Sequence, residues 1–482
     1  MSCTLKDYIV NKEHHKYRKD FDEYADLAKE YQALGLSPKE RMTRRFELLA
    51  SLETPVLLPE EKICFMRTVK KIPDCFTEEE WKEIRQKHFI HELGYMSNLS
   101  PDYERVIKTG LLAAYDDADA YGKRIIDAIL ELTSRYQKKA EEEGKTELAK
   151  VLKRVPAYGA TSFYEALQSF RIIHYSLWLE GNYHNTVGRF DKYMYPYLKA
   201  DMEKGLYTRE TALELLGDFF LSFNKDSDLY VGVQQGDNGQ SMVLGGMDEN
   251  GEEVFNILSE LCLEASRNLL MIDPKINLRV NKRTPLKIYE LGSQLTKAGL
   301  GFPQYSNDDV VIEGLCKLGY DRKDACDYVV AACWEFIIPG RGMEIPNIGR
   351  LPFANVTDQV IREKLASCSS MDELLVCLRT AIAENVRDTV QAIHDLHLLP
   401  APFLSLFFEG CLENEKDISL GNRYNNWGLH GTGLAPAADM LAAVDQTVFQ
   451  EGLSPKTLLA AMQKNFAGYD ELRDHLAHQC PK

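Results

Sequence analysis

Two hydrophobic periods alternate along this chain. Ile125, Ile126, Ile129, Leu130 and Leu132 recur at helical spacing and run into a charged tail over 138–145. After a break at Arg154-Val155-Pro156-Ala157-Tyr158-Gly159, the run Ser162-Phe163-Tyr164-Glu165 has the form of a capping box. It predicts a helix carrying Phe163, Ala166, Leu167, Phe170 and Ile173 on one face, reaching about Leu179 and ending near Gly181. Another helix is predicted over 208–223. The period then shortens, and 229–234, 241–246 and 272–280 read as strands separated by helical stretches at 254–267 and 286–298. Strands alternating with helices of this length indicate βα units. Residues 299–309 are expected to form a loop whose acidic end caps a helix toward Leu318. Packed helices are expected at 437–444 and 458–466.

Residues 1–115 are charged and helix-rich, with turn signals at 57–61 and 72–74. His14, His15, His88 and His91 stand in or beside charged stretches and are expected to be solvated. The organisation this predicts is a peripheral helical region, 1–150, packed on one α/β body, 151–482, with no domain break inside 150–460.

Composition narrows the function. The formal charge of −16 and the pI near 5.3 argue against a nucleic-acid surface, which needs clustered Lys and Arg. No signal-peptide pattern opens the chain, and no apolar run is long enough to span a membrane, so a cytoplasmic protein is expected. Eleven cysteines form no CxxC pair, which suggests reduced thiols and no bound metal or cluster. HExxH, Walker, GxGxxG and GxSxG patterns are missing. Gly428-Leu429-His430-Gly431-Thr432-Gly433 matches no phosphate loop and is expected to be a loop near a crowded centre.

The candidate chemistry sits in Val329-Val330-Ala331-Ala332-Cys333-Trp334-Glu335-Phe336-Ile337-Ile338-Pro339-Gly340. If this stretch is extended, Cys333 and Glu335 point to one side and share a cavity, with Trp334 turned into the packing behind. The bland alternative is a buried small hydrophobe beside a carboxylate paired with an Arg. Arg341, Glu344, Asn347 and Arg350 add polar groups just after it. The stretch 181–191 mixes polar side chains with glycines, as a functional loop or a plain connector would.

In order, these motifs resemble those of the glycyl radical enzymes of the pyruvate formate-lyase superfamily, over roughly 155–482. Gly188-Arg189-Phe190-Asp191-Lys192-Tyr193 is similar to the family's Gly-Arg-(apolar)-Asp-Gln-Tyr. Leu244-Gly245-Gly246, Asp273-Pro274-Lys275-Ile276-Asn277-Leu278-Arg279 and Pro303-Gln304-Tyr305-Ser306-Asn307-Asp308 resemble its barrel strands and its Asn-Asp loop. Cys333-Trp334-Glu335 resembles the Gly-Cys-Val-Glu loop of the eliminase branch, and Asn465-Phe466-Ala467-Gly468-Tyr469-Asp470-Glu471-Leu472-Arg473 resembles a late family segment.

The resemblance implies an α/β fold, a ten-stranded β/α barrel of two antiparallel five-stranded half-barrels. It implies a thiyl radical on Cys333, with Glu335 as the base that takes a proton from a substrate hydroxyl. Tyr183, His184, Gln240 and Asn347 are expected as substrate contacts by their place in matched segments, and Arg341 as a holder of an anionic substrate. Three departures stand out. Ala332 precedes Cys333 where most relatives have Gly, and Tyr183-His184 stand where dehydratase-like relatives often carry His-Ser. Also, the family's Gly-Asn-Asp and Arg-Val-x-Gly segments do not follow Lys482; Arg154-Val155-Pro156-Ala157 has Ala at the fourth place.

The leading expectation is therefore the thiyl-bearing subunit of a split glycyl radical lyase, which would be inactive alone. It cleaves a C–O, C–N or C–S bond of a small-molecule substrate, with dehydration foremost. The expected partners are a small glycyl radical subunit and an S-adenosylmethionine-dependent activase carrying a 4Fe–4S cluster, with no cofactor bound to this chain; a homodimer is left open. The alternatives are a truncated one-chain enzyme, a decarboxylase, and a non-catalytic binding or regulatory protein on the same barrel.

Overall fold

The computed structural model describes residues 4–91, 94–229, 238–393 and 395–480. The capped helix is its centre. Phe163–Glu180 opens on Ser162, whose side chain accepts the N–H of Glu165, and closes on Gly181 at φ +105. A left-handed residue there suits only glycine without strain.

The sequence predicts one apolar face, but the helix is buried all round. Its polar residues are met from elsewhere in the chain. Gln168 accepts the N–H of Cys64 at 3.0 Å, and Arg171 donates to the Phe65 carbonyl at 2.9 Å. His174 lies 2.7 Å from the Tyr103 hydroxyl and 2.9 Å from Gln240 Oε1. Glu180 accepts the N–H groups of Phe403 and Leu404 at 2.8 and 3.1 Å, and the Asn182 amide at 2.6 Å.

Burial pushes the Glu180 carboxyl up to about 8. The folded state thus keeps a proton that the unfolded chain releases near the usual carboxyl range. That contribution to stability is complete below about 4.5 and is lost as pH rises toward 8. Glu180→Gln should flatten this slope in melting temperature between pH 5 and 8. An unchanged slope would exclude Glu180 as its source.

Four parallel strands follow in chain order: Gly188–Arg189, Ser241–Gly245, Lys275–Val280 and Gln304–Asn307. Helices Phe190–Glu203, Arg209–Ser222, Ile257–Leu269 and Leu286–Lys297 lie between them, as βα units require. Gln304–Asn307, expected as loop, is the fourth strand; four residues behind two glycines and a proline give no strand signal. Asn307 does cap the next helix, accepting the Asp309 N–H at 3.0 Å. Of the strand predicted over 229–234, the part from residue 230 on lies outside the described residues.

A second sheet has the order Tyr424–Thr432, Gly342–Pro352, Ser97–Leu99, Tyr183–Asn185. Thus the stretch 181–191 is not a loop but the two short strands Tyr183–Asn185 and Gly188–Arg189. The glycine-rich 428–433 run is largely strand too; in Gly431 a Cβ would lie 2.7 Å from the Phe353 ring. The two larger sheets have four strands each among the described residues.

The expected boundary at 150 is replaced by another. Residues Met1–Ile345 and His397–Asn426 form one unit, and Pro346–Leu396 with Trp427–Lys482 a second. The early helices Pro38–Leu52 and Thr146–Arg154 both pack on the buried Phe163–Glu180 helix, which joins them to the sheets. The second unit has its own core, with Val360, Leu365, Leu374, Val444 and Leu458 drawn from its helices. His14 and His91 are buried rather than solvated, and His14 Nε2 meets the Lys225 carbonyl at 2.5 Å. No helix of the described residues is long and apolar enough to cross a membrane.

Candidate active site

The apolar run forms a hairpin, not one extended stretch. Val329–Ala331 pairs antiparallel with Glu335–Ile337, and Ala331 faces Glu335. That ladder leaves Ala332, Cys333 and Trp334 as a three-residue tip, with Ala332 in the left-handed region at φ +42. The Cys333 side chain is exposed at the tip, and Trp334 is 53% exposed instead of packed behind. The Glu335 carboxylate folds back over the tip, where Oε2 accepts the N–H of Cys333 at 2.8 Å and of Trp334 at 2.9 Å. Thiol and carboxylate are therefore joined through one turn.

The root of the hairpin is fixed from three sides. Val329, Val330, Ala331, Ile337 and Ile338 are buried with Val243 in one apolar cluster. The Thr186 hydroxyl lies 2.6 Å from the Ser241 carbonyl and 3.1 Å from that of Val330, and Ser241 Oγ donates to the Ala332 carbonyl at 3.2 Å. Just before the hairpin, Tyr328 donates to Asp308 at 2.8 Å while the Arg279 guanidinium lies 3.9 Å over its ring. Asp308 also accepts Arg279 Nε at 2.8 Å and the Met247 N–H at 2.7 Å.

The Gly-Arg-Phe-Asp motif is part of this frame. Arg189 donates to the Gly245 and Cys326 carbonyls, and Asp191 accepts the Gly245 N–H at 2.7 Å and the Ser259 hydroxyl at 2.5 Å.

Of the expected contacts, His184 reaches the tip. A Cβ on Gly239 would lie 2.8 Å from its ring and 3.3 Å from Ala332 Cα, so ring, glycine and tip backbone are packed together. Tyr183 is buried, its ring 5.2 Å from that of His184. Gln240 is not placed as a pocket contact. It is fully buried, with its amide on His174, the Phe223 carbonyl and Asp273, which makes it a strut between the central helix and the sheet. Arg341 is not open to an anion, because its guanidinium is ion-paired with Asp324 and Glu409. It lines a cleft of about 680 Å³ with Lys108, Lys192 and Asp327, and neither Cys333 nor Glu335 lines that cleft. Asn347 lies in the second unit, exposed, at φ +56.

The sequence names Glu344 without giving it a role. It is half-buried, bonded by the Asn426 side chain, and burial together with the Glu335 charge raises its carboxyl to about 7. Thr186 and Asn426 gave no signal of their own.

The pyruvate formate lyase-like family matches residues 66–482. Among curated proteins, the chain is 26% identical over 451 residues to (2S)-3-sulfopropanediol dehydratase of Klebsiella oxytoca, covering 81% of this chain and 54% of that one. It is 25% identical to trans-4-hydroxy-L-proline dehydratase of Clostridioides difficile, covering 82% and 56%. The chain spans about half the length of these curated relatives. Among solved structures, glycerol dehydratase from Clostridium butyricum with glycerol bound superposes with a TM-score of 0.79 at 21% identity, over 100% of this chain and 76% of that one. Hydroxyproline dehydratase from Clostridioides difficile gives 0.79 at 19%, over 100% and 77%. The α/β fold expected from the motifs is thus the one found, and this chain belongs to the pyruvate formate lyase-like family of glycyl radical enzymes.

Proposed function

We propose that this protein is the thiyl-bearing part of a radical lyase that cleaves a C–O, C–N or C–S bond of a small polar substrate, with loss of water foremost. The observation that carries it is the hairpin tip, where an exposed thiol and a carboxylate are held in one turn. A barrel that had lost its chemistry would have no reason to keep these groups together, so the tip favours the enzyme over the binding-module reading. The dehydratases and sulfite-lyases among its relatives support elimination rather than acyl transfer.

The glycyl radical supplies hydrogen-atom abstraction at Cys333. It comes from a small partner subunit charged by a radical S-adenosylmethionine activase; a continuation of the chain bearing the glycine would serve the same chemistry. The Cys333 sulfur then takes a hydrogen atom from the substrate carbon, and Glu335 takes the proton of the hydroxyl on that carbon. The neighbouring bond breaks, its electron pair leaves with the departing group, which takes up the proton held by Glu335, and Cys333 returns the hydrogen atom to the product. Both groups act on adjacent substrate atoms, and one turn presents both.

Mixing the chain with the activase and a glycyl radical subunit tests this. Electron paramagnetic resonance should show the glycyl radical, and a screen of polyols, hydroxylated amino acids and hydroxysulfonates should give product. Cys333→Ala should keep the radical signal and lose turnover. Equal turnover by the wild-type and Cys333→Ala chains would end the proposal.

A further inference from the structure

We propose that Lys275 sets the class of substrate: its ammonium group, on the sheet face beside the Cys333 tip, binds an oxyanion of the substrate, a carboxylate, sulfonate or phosphate. The inference rests on the reading of Cys333 and Glu335 given above and adds what the rest of the substrate carries.

Backbone pairing brings Lys275 to the tip. Its N–H donates to the Gln240 carbonyl at 3.0 Å, and its Cα is the register partner of Ser241 in the parallel sheet. The residues on both sides of Gln240 meet Ala332, the first residue of the tip. Ser241 Oγ donates to the Ala332 carbonyl at 3.2 Å, and a Cβ on Gly239 would lie 3.3 Å from Ala332 Cα. Lys275 thus stands one strand spacing, about 4.8 Å, from the segment that holds the tip.

Its side chain shares the face that the hairpin lies on. Register partners on neighbouring strands point to one side, and so do residues i and i+4 of one strand. Ser241 reaches the tip from that side. Arg279, four residues beyond Lys275, reaches the hairpin root from it, donating to the Tyr328 carbonyl at 3.0 Å. Lys275 is therefore the cation at the tip end of this row, and Arg279 the cation at the root end.

The two cations differ in what they hold. Arg279 is fully buried and paired with Asp308 at 2.8 Å. Lys275 is half-buried, and among the described residues its ammonium has neither a carboxylate nor a hydrogen-bond acceptor. The acids around it are engaged elsewhere. Asp273 Oδ2 accepts the Asn238 N–H at 3.0 Å and the Gln240 amide at 2.9 Å, and Glu335 Oε2 accepts the tip N–H groups. An ammonium drawn partly out of water is stabilised by a counter-charge, and a bound anion supplies one.

Two amides beside Lys275 are uncommitted as well. Asn238 is fully buried, and neither its Oδ1 nor its Nδ2 has a partner. Asn277, fully buried on the same face, donates to the Lys275 carbonyl at 3.3 Å and leaves its Oδ1 unpaired. A cation with an amide donor beside it suits an oxyanion, and a free amide oxygen suits a hydroxyl or amine of the same molecule. The charge also serves the base. Glu335 must be ionised to take a proton, and in that form it repels an anionic substrate. Lys275 offsets the repulsion and draws the anionic end to the sheet, leaving the hydroxylated carbon for Cys333 and Glu335.

Two measurements test this, one of them independent of turnover and of the substrate. The first compares alkylation of Cys333 by iodoacetate, a small carboxylate, with alkylation by neutral iodoacetamide, each read by peptide mass spectrometry at pH 7.5. The ratio of the two rates cancels any change in thiolate content. It should fall about fivefold or more in Lys275→Met and in Lys275→Gln, each checked for an unchanged melting temperature, and should be kept in Lys275→Arg. A ratio unchanged in either neutral variant overturns the proposal.

The second offers the assembled system glycerol and its carboxylate, sulfonate and phosphate counterparts, which also separates the three anions. An anionic member should be preferred, and Lys275→Met should raise its KM at least tenfold with kcat within threefold. Preference for the neutral polyol overturns the proposal. If Cys333→Ala turns over normally, the radical-site reading falls, and the alkylation ratio still decides whether Lys275 gathers anions at the tip.

Discussion

Glu335→Gln is expected to lower turnover of the assembled enzyme by about 10²–10⁴-fold, the range that a positioned proton acceptor contributes. The substitution is close to isosteric. Its amide oxygen still accepts the N–H groups of Cys333 and Trp334, so the hairpin tip keeps its shape. Only the ability to take a proton is removed. Spin counting should then find as much glycyl radical as in the wild type, beside a collapsed rate of product formation. Cys333 should alkylate at an undiminished rate, which separates lost chemistry from a collapsed tip. A rate within tenfold of wild type, with the radical intact, would remove Glu335 from the proton-transfer role.

Asp308→Ala is expected to cost about 3–5 kcal/mol, because it leaves a buried guanidinium without its carboxylate. Asp308 and Arg279 are both fully buried. Besides Arg279 Nε, the carboxylate accepts the Tyr328 hydroxyl and the Met247 N–H, so three donors lose their acceptor together. Tyr328 leads directly into Val329, so the loss also loosens the root of the Cys333 hairpin. The denaturant midpoint should fall at unchanged slope, and protease should cut within 327–340 sooner. A cost below about 1 kcal/mol would mean that the buried pair does not hold the hairpin root.

Local features were legible in the sequence and distant ones were not. Ser162 and Gly181 bound the central helix correctly because capping is decided within a few residues. Its burial on every side was hidden, since Gln168, Arg171, His174 and Glu180 look like solvent positions until their far partners are known.

The Cys333 stretch has a shape that the sequence does not show. An apolar run ending in Pro-Gly gives no warning that Ala332 turns left-handed, because glycine usually marks such a position. Gln240 and Arg341 were chosen by their neighbours in the chain. In space one is a buried strut and the other is saturated by two carboxylates.

The pairing order of the strands has a consequence for how the site comes into being. In the parallel sheet each strand pairs with the next one along the chain, from Gly188–Arg189 to Gln304–Asn307. Each pairing therefore joins neighbours in the chain, so this sheet can grow strand by strand as the chain emerges. The second sheet is different. Its strand Gly342–Pro352 meets Ser97–Leu99 through Met343 and Leu99, partners far apart in the chain. The Cys333 hairpin, a pairing of near neighbours, can therefore form before that sheet closes.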